Sequence, residues 1–168
     1  MAAEGVNARA VGEWVLLSYR MPREPSTPRI AVWRKLKRLG VAQLADGVVA
    51  LPADARTQEQ LEWLADEVLD AGGTAGIWIA RPASVAQERE LAGSLAAARA
   101  AEYQALADEA AGSAELDDGA RGSVARRLRA ELRRITRRDY FPPPEREHAH
   151  RAVEALLAPS ATGVTQEK

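Results

Sequence analysis

The hydrophobic pattern changes period several times along the chain. Residues 13–20, EWVLLSYR, form a short apolar run with aromatic and β-branched content, stopped by Met21-Pro22 and Pro25. A run of that length with those boundaries predicts a buried strand. The next segment, RIAVWRKLKRLG (29–40), has helical period. On a wheel, Val32, Trp33, Leu36 and Leu39 gather on one side with Ile30 at the margin, and Arg34, Lys35 and Arg38 lie opposite. This predicts an amphipathic helix whose Trp33 faces the sheet, with Ser26 or Thr27 as cap, Pro28 in its first turn and Gly40 as its stop. VAQLADGVVALP (41–52) places two short apolar segments around Asp46-Gly47, a hairpin signal. Thr57 opens a second helical pattern through Leu61, Leu64, Ala65 and Val68, closed by Gly72-Gly73. TAGIWIARP (74–82) is a fourth strand ended by Pro82.

The order β-α-β-β-α-β over residues 13–81 is the ferredoxin-like split βαβ arrangement, a four-stranded antiparallel sheet with two helices on one face. Beyond it the pattern is helical. An alanine-rich helix is expected over about 85–111, a loop at GSAELDDGARG (112–122), a helix over about 121–138, a break at Pro142-Pro143-Pro144, and a last helix over 145–157. The fold class is therefore α+β, with a ferredoxin-like unit at 13–82 and a helical extension at 83–158 packed on it. Residues 1–12 and 159–168 are expected to be flexible tails.

Composition narrows the classes. The 168 residues fit one domain with an extension. No stretch reaches the roughly 18 uninterrupted apolar residues of a membrane helix, and no apolar signal segment opens the chain. There is no cysteine, which excludes disulfides and thiolate metal sites. A cytoplasmic protein without a membrane partner is the simplest expectation. Heavy use of Ala and Arg with little Lys suggests a GC-rich bacterial coding sequence. The net charge of −1 hides blocks: residues 83–118 carry eight acids against two Arg, and residues 121–138 carry eight Arg against Glu131 alone.

In that second block Val124, Leu128, Leu132 and Ile135 make one narrow apolar stripe, while Arg126, Arg127, Arg129, Arg133, Arg134, Arg137 and Arg138 cover most of the rest. Two things can offset such self-repulsion. One is pairing with the preceding acids, through Glu102, Asp108 and Glu109 or the Glu115, Asp117, Asp118 loop. The other is a polyanion, whose binding gains from counterion release at each phosphate neutralised. Catalytic sets are absent: there is no glycine-rich phosphate loop, no nucleophile constellation and no metal-ligand spacing, and His148 and His150 fall on different sides of a helix. No cofactor is implied.

Several separated motifs carry a family resemblance. WVLLSYRMP (14–22), STPRIAVWRKLKRLG (26–40), GVVALP (47–52), EWLADEV (62–68), the set Arg99, Glu102 and Tyr103, and RDYF (138–141) resemble the N-terminal domain of ChrB proteins, regulators associated with bacterial chromate resistance. The first part also resembles the central ferredoxin-like domain of PaaX-type repressors. The resemblance implies a stand-alone ChrB-like N-terminal domain that regulates transcription by binding operator DNA. Arg126, Arg127, Arg133, Arg134 and Arg137 would contact phosphates, with Arg34, Lys35 and Arg38 as a second patch, and a homodimer would suit a palindromic operator. Leu17-Ser18-Tyr19-Arg20 has no acid at the end of the first strand, unlike related ferredoxin-like nucleases, which argues against metal-dependent cleavage. Two other readings stay open. One is an assembly module for a separately encoded protein. The other is a small-molecule-binding protein or enzyme using Trp14, Arg20, Trp78, Arg81 or Tyr103 in the helix-sheet crevice.

Overall fold

The strands and helices fall where the period changes. A computed structural model describes residues 12–158; the segments expected to be flexible tails lie outside the described residues except for Gly12. The chain runs β1 (Trp14–Arg20), α1 (Ser26–Leu39), β2 (Ala42–Ala45), β3 (Val48–Pro52), α2 (Ala55–Asp70), β4 (Thr74–Ala80), α3 (Val85–Gly112), α4 (Asp118–Thr136) and α5 (Glu145–Ala155). It is an α+β protein with a helical C-terminal half. Two compact units divide the chain, the first ending at Leu95 and the second beginning at Ala96, so the division falls inside α3.

In the first unit the sheet order is β2-β3-β1-β4, and every neighbouring pair is antiparallel. That is the interleaved order of a ferredoxin-like sheet. The register explains why β1 is central. Val15 lies between Leu51 and Ile79, and Leu17 between Val49 and Ile77, so alternate positions on three strands form one apolar face. Val15, Leu17, Val49 and Leu51 are all but inaccessible to solvent. Helix α2 packs on β1 and β4 and touches α1, burying Leu61, Leu64, Ala65 and Val68. Each of the Leu and Val side chains contributes about 1.5–3 kcal/mol on leaving water.

The helix ends correct three expectations. The cap of α1 is not Ser26 or Thr27: both lie within the helix, and Pro25, after a cis Glu24–Pro25 bond, precedes it with no side-chain cap. Gly40 does end α1 in the left-handed conformation, its N–H donating to the carbonyls of Leu36 and Lys37. Helix α2 starts at Ala55, ahead of Thr57, because Asp54 and Thr57 form a reciprocal capping box. The Thr57 N–H donates to Asp54 Oδ1 at 2.7 Å and the Asp54 N–H to Thr57 Oγ1 at 3.0 Å. Helix α4 likewise starts inside the expected loop, since Asp117 caps it by accepting the Ala120 N–H at 3.0 Å.

Trp33 is the largest correction. It is 55% exposed and does not face the sheet, and Ile30 is 44% exposed. Helix α1 is buried only through Val32 and Leu36. Those two positions form a stripe one residue wide, and the next position round the helix falls outside it. The Trp33 ring instead meets a basic side chain, with Lys37 Nζ 5.5 Å from its centroid.

The second unit is a three-helix core. Tyr103, Leu106, Ala107 and Ala110 of α3 meet Leu128, Leu132 and Ile135 of α4, and Ala149 and Val153 of α5. The expected α4 stripe is present, except that Ala125 is the fully buried residue of its first turns and Val124 is only partly covered.

Candidate functional site

Apart from the largely covered Arg121, the arginines of α4 stand outward from that stripe, and the structure sorts them by partner. Arg127 pairs with Glu109 of α3. Arg129 makes a forked contact with Glu154 of α5, its Nε at 2.9 Å and its Nη2 at 2.8 and 2.7 Å from the carboxylate oxygens. Arg134 pairs with Glu131 at 2.7 Å, one turn back on its own helix. Arg138 reaches Glu102 at 2.8 Å, and Arg99 meets the same carboxylate at 3.2 Å. Pairing with the preceding acids therefore does occur, at Glu102 and Glu109 and at Asp118, which meets Arg121 at 2.6 Å, and Glu154 is a partner the sequence reading missed.

Two arginines on α4 are left without a carboxylate among the described residues. Arg126 donates only to Ser123 Oγ at 3.0 Å, and Arg133 is exposed with no ion pair among the described residues. Arg133 borders a cleft of about 460 Å³ between α4 and α5, together with Arg129, Arg137, Arg146, His150 and Thr136. Its only acid is Glu154, which Arg129 already holds; that hydrogen bond keeps the Glu154 carboxyl below its usual range. The cleft is thus a cationic groove, able to seat a compact anion such as a phosphate group. Of the five α4 arginines expected to contact phosphates, Arg133 and Arg137 line this cleft, Arg126 stands outward, and Arg127 and Arg134 are engaged by acids. In the second patch, Arg34 and Arg38 are exposed while Lys35 is held by Glu67 of α2.

The five small-molecule candidates divide between the two units, Tyr103 in the second and the other four in the first. Trp14 and Tyr103 are 2% and 0% exposed. Arg81 pairs with Glu13 at 3.2 Å. Arg20 and Trp78 share a shallow cleft of about 440 Å³, where the Trp78 indole donates to Ser18 Oγ at 2.9 Å. A larger cleft, about 700 Å³, opens in the first unit beside Tyr19, Arg20, Arg29, Trp33 and Asp46. Sequence reasoning missed it because these residues come from the end of β1, the first half of α1 and the β2–β3 turn. Nothing in the sequence signals it, because the helical wheel turns Trp33 toward the sheet whereas the structure leaves it exposed. Among the described residues, no three His, Asp or Glu side chains converge as metal ligands, and no helix is long and apolar enough to cross a membrane.

Comparison with known proteins gives two matches. The family described as "Protein ChrB, N-terminal" matches residues 29–162. Protein ChrB of Cupriavidus metallidurans is 28% identical over 167 residues, an alignment covering 87% of this chain and 48% of that protein. The chain thus spans about half the length of the curated relative it matches. No solved structure matches at a significant level.

Proposed function

Because the chain belongs to the ChrB N-terminal family, we propose that it is a DNA-binding regulatory module of a chromate-resistance system, working in the cytoplasm. The observation that supports this most is the divided α4 face. Arg126 and Arg133 stand without carboxylate partners among the described residues, and Arg133 adjoins a cleft that Arg137 and Arg146 also line. A guanidinium presents two parallel donors to a phosphate, and each phosphate so neutralised releases condensed counterions. The α1 pair Arg34 and Arg38 supplies a second contact, and two copies of the chain read a two-fold operator.

The test is a titration of DNA from upstream of the reading frame, followed by fluorescence anisotropy at several salt concentrations. Affinity is expected to fall steeply with salt. The double variant Arg126→Ala/Arg133→Ala should lower the slope of log K against log salt by about 2, one for each lost phosphate contact. Both side chains are exposed, so the fold should survive. Absence of any salt-sensitive binding to that DNA at low salt would overturn the proposal.

A further inference from the structure

We propose that the cleft at the end of β1, in the first unit, binds a small planar aromatic molecule that carries an anionic group. The reading needs no DNA and rests on a different unit from α4. At about 700 Å³ the cleft has the volume of an ordinary small-molecule site. Its wall comes from α1, where Ile30 and Trp33 leave 44% and 55% of their surface in water. Two large apolar side chains exposed on one concavity, one turn of helix apart, differ from a scattered surface Leu: they offer a flat platform that gains by being covered.

The polar groups around this platform define the rest of the ligand. Arg20 closes β1 and Arg29 stands in the first turn of α1; both line the cleft, both are exposed, and neither makes an ion pair among the described residues. Two unpaired guanidiniums flanking an aromatic wall fit a carboxylate or a phosphate. Lys37, its Nζ 5.5 Å from the Trp33 ring centroid, adds positive charge beside that wall. Asp46 and Gln43 also line the cleft and offer acceptors, so a ring amine or hydroxyl suits the far side. Burial, and then the Asp46 carboxylate, push the Tyr19 phenol above its usual range, so it stays a donor at neutral pH.

The floor is fixed. The Tyr19 N–H donates to the Gly47 carbonyl at 2.7 Å, and a Cβ on Gly47 would stand 2.4 Å from the Tyr19 carbonyl oxygen. The hairpin turn therefore lies directly against β1, and the cleft is formed before any ligand arrives.

Nucleoside monophosphates and amino-substituted aromatic acids both carry a ring, an anion and a donor. Adenosine 5′-monophosphate and 4-aminobenzoate would be titrated separately into the full chain, with tryptophan fluorescence and calorimetry as readouts. Adenosine and inorganic sulfate serve as probes that lack the anion or the ring. The expected result is saturable binding of at least one of the two anions with a Kd below about 1 mM, tighter than either control. Arg29→Ala should weaken that binding about tenfold, the usual loss for one charged hydrogen bond. Trp33→Phe should remove most of the fluorescence change while calorimetry still detects binding. Which of the two anions binds identifies the source. Failure of both to saturate below about 10 mM overturns the proposal, as does binding that neither Arg20→Ala nor Arg29→Ala changes.

Discussion

Asp139 shows how much the role of one residue depends on what the fold packs around it. Its side chain is wholly buried just past the end of α4. A carboxylate there needs donors, since an uncompensated buried charge costs several kcal/mol. It receives the Tyr103 hydroxyl at 2.9 Å and lies 3.7 Å from Arg146 Nη1. Tyr103 is itself inaccessible, and burial is the main cause that raises its phenol above the usual range. The RDYF and Arg99, Glu102, Tyr103 patterns are thus two sides of one buried polar network, with Glu102 clamped between Arg99 and Arg138. Tyr103→Phe should destabilise the protein by about 1–3 kcal/mol, seen as a lower urea midpoint at an unchanged slope. The pH dependence has a definite sign. A folded-state pKa above the unfolded one contributes stability below about pH 10, lost as pH rises through the raised value. Tyr103→Phe should therefore flatten the loss of stability above pH 10. A variant with the wild-type midpoint and the wild-type alkaline slope would show that this bond carries nothing.

At the scale of elements, the strands and their order were legible because they depend on period and punctuation. The apolar run of β1 with its proline stops, the Asp46-Gly47 turn and the Gly40 stop are local signals, and each appears where it was read. Caps were less legible, because Asp54-Ala-Arg-Thr57 is a capping box with Thr where Glu is usual, and so resembles a helix beginning at Thr57. The orientation of Trp33 was not legible at all. A wheel gives a sector, but the partners of α1 decide how wide a stripe is covered. The same reason hid the cleft beside it. Asp54→Ala should cost about 1 kcal/mol in thermal unfolding, the ordinary value of a lost cap. Gly47→Ala should cost more, at least about 2 kcal/mol. Its φ of +73° disfavours any side chain, and the added methyl would meet the backbone of β1 at 2.4 Å. If Gly47→Ala melts like the wild type, the turn does not lie against β1 as described.

Across the whole molecule, a formal net charge of −1 conceals a strong separation of sign. The sequence showed the blocks, but not how far they neutralise one another, because pairing depends on which helices become neighbours. In the second unit Glu109, Glu131 and Glu154 engage Arg127, Arg134 and Arg129. These pairs are solvent-exposed, and exposed pairs contribute little to stability. Their larger effect is to compete with any outside anion for the same guanidiniums. Arg129 lies beside the cationic cleft, so Glu154 is the natural competitor at that site. Its carboxyl is held below the usual range by Arg129, so the pair is intact above about pH 4.3 and opens only as pH falls through the lower folded value. At neutral pH the competition is therefore fully present, and Glu154→Gln should remove it. The expected outcome is an unchanged urea midpoint, tighter DNA binding at low salt, and a salt slope steeper by about one, as Arg129 becomes available to a phosphate. Weaker binding in Glu154→Gln, with the fold intact, would mean that Glu154 instead holds Arg129 in its working position. In that case the α4–α5 cleft would act as a pre-set pocket, and the arginines would not be interchangeable charges.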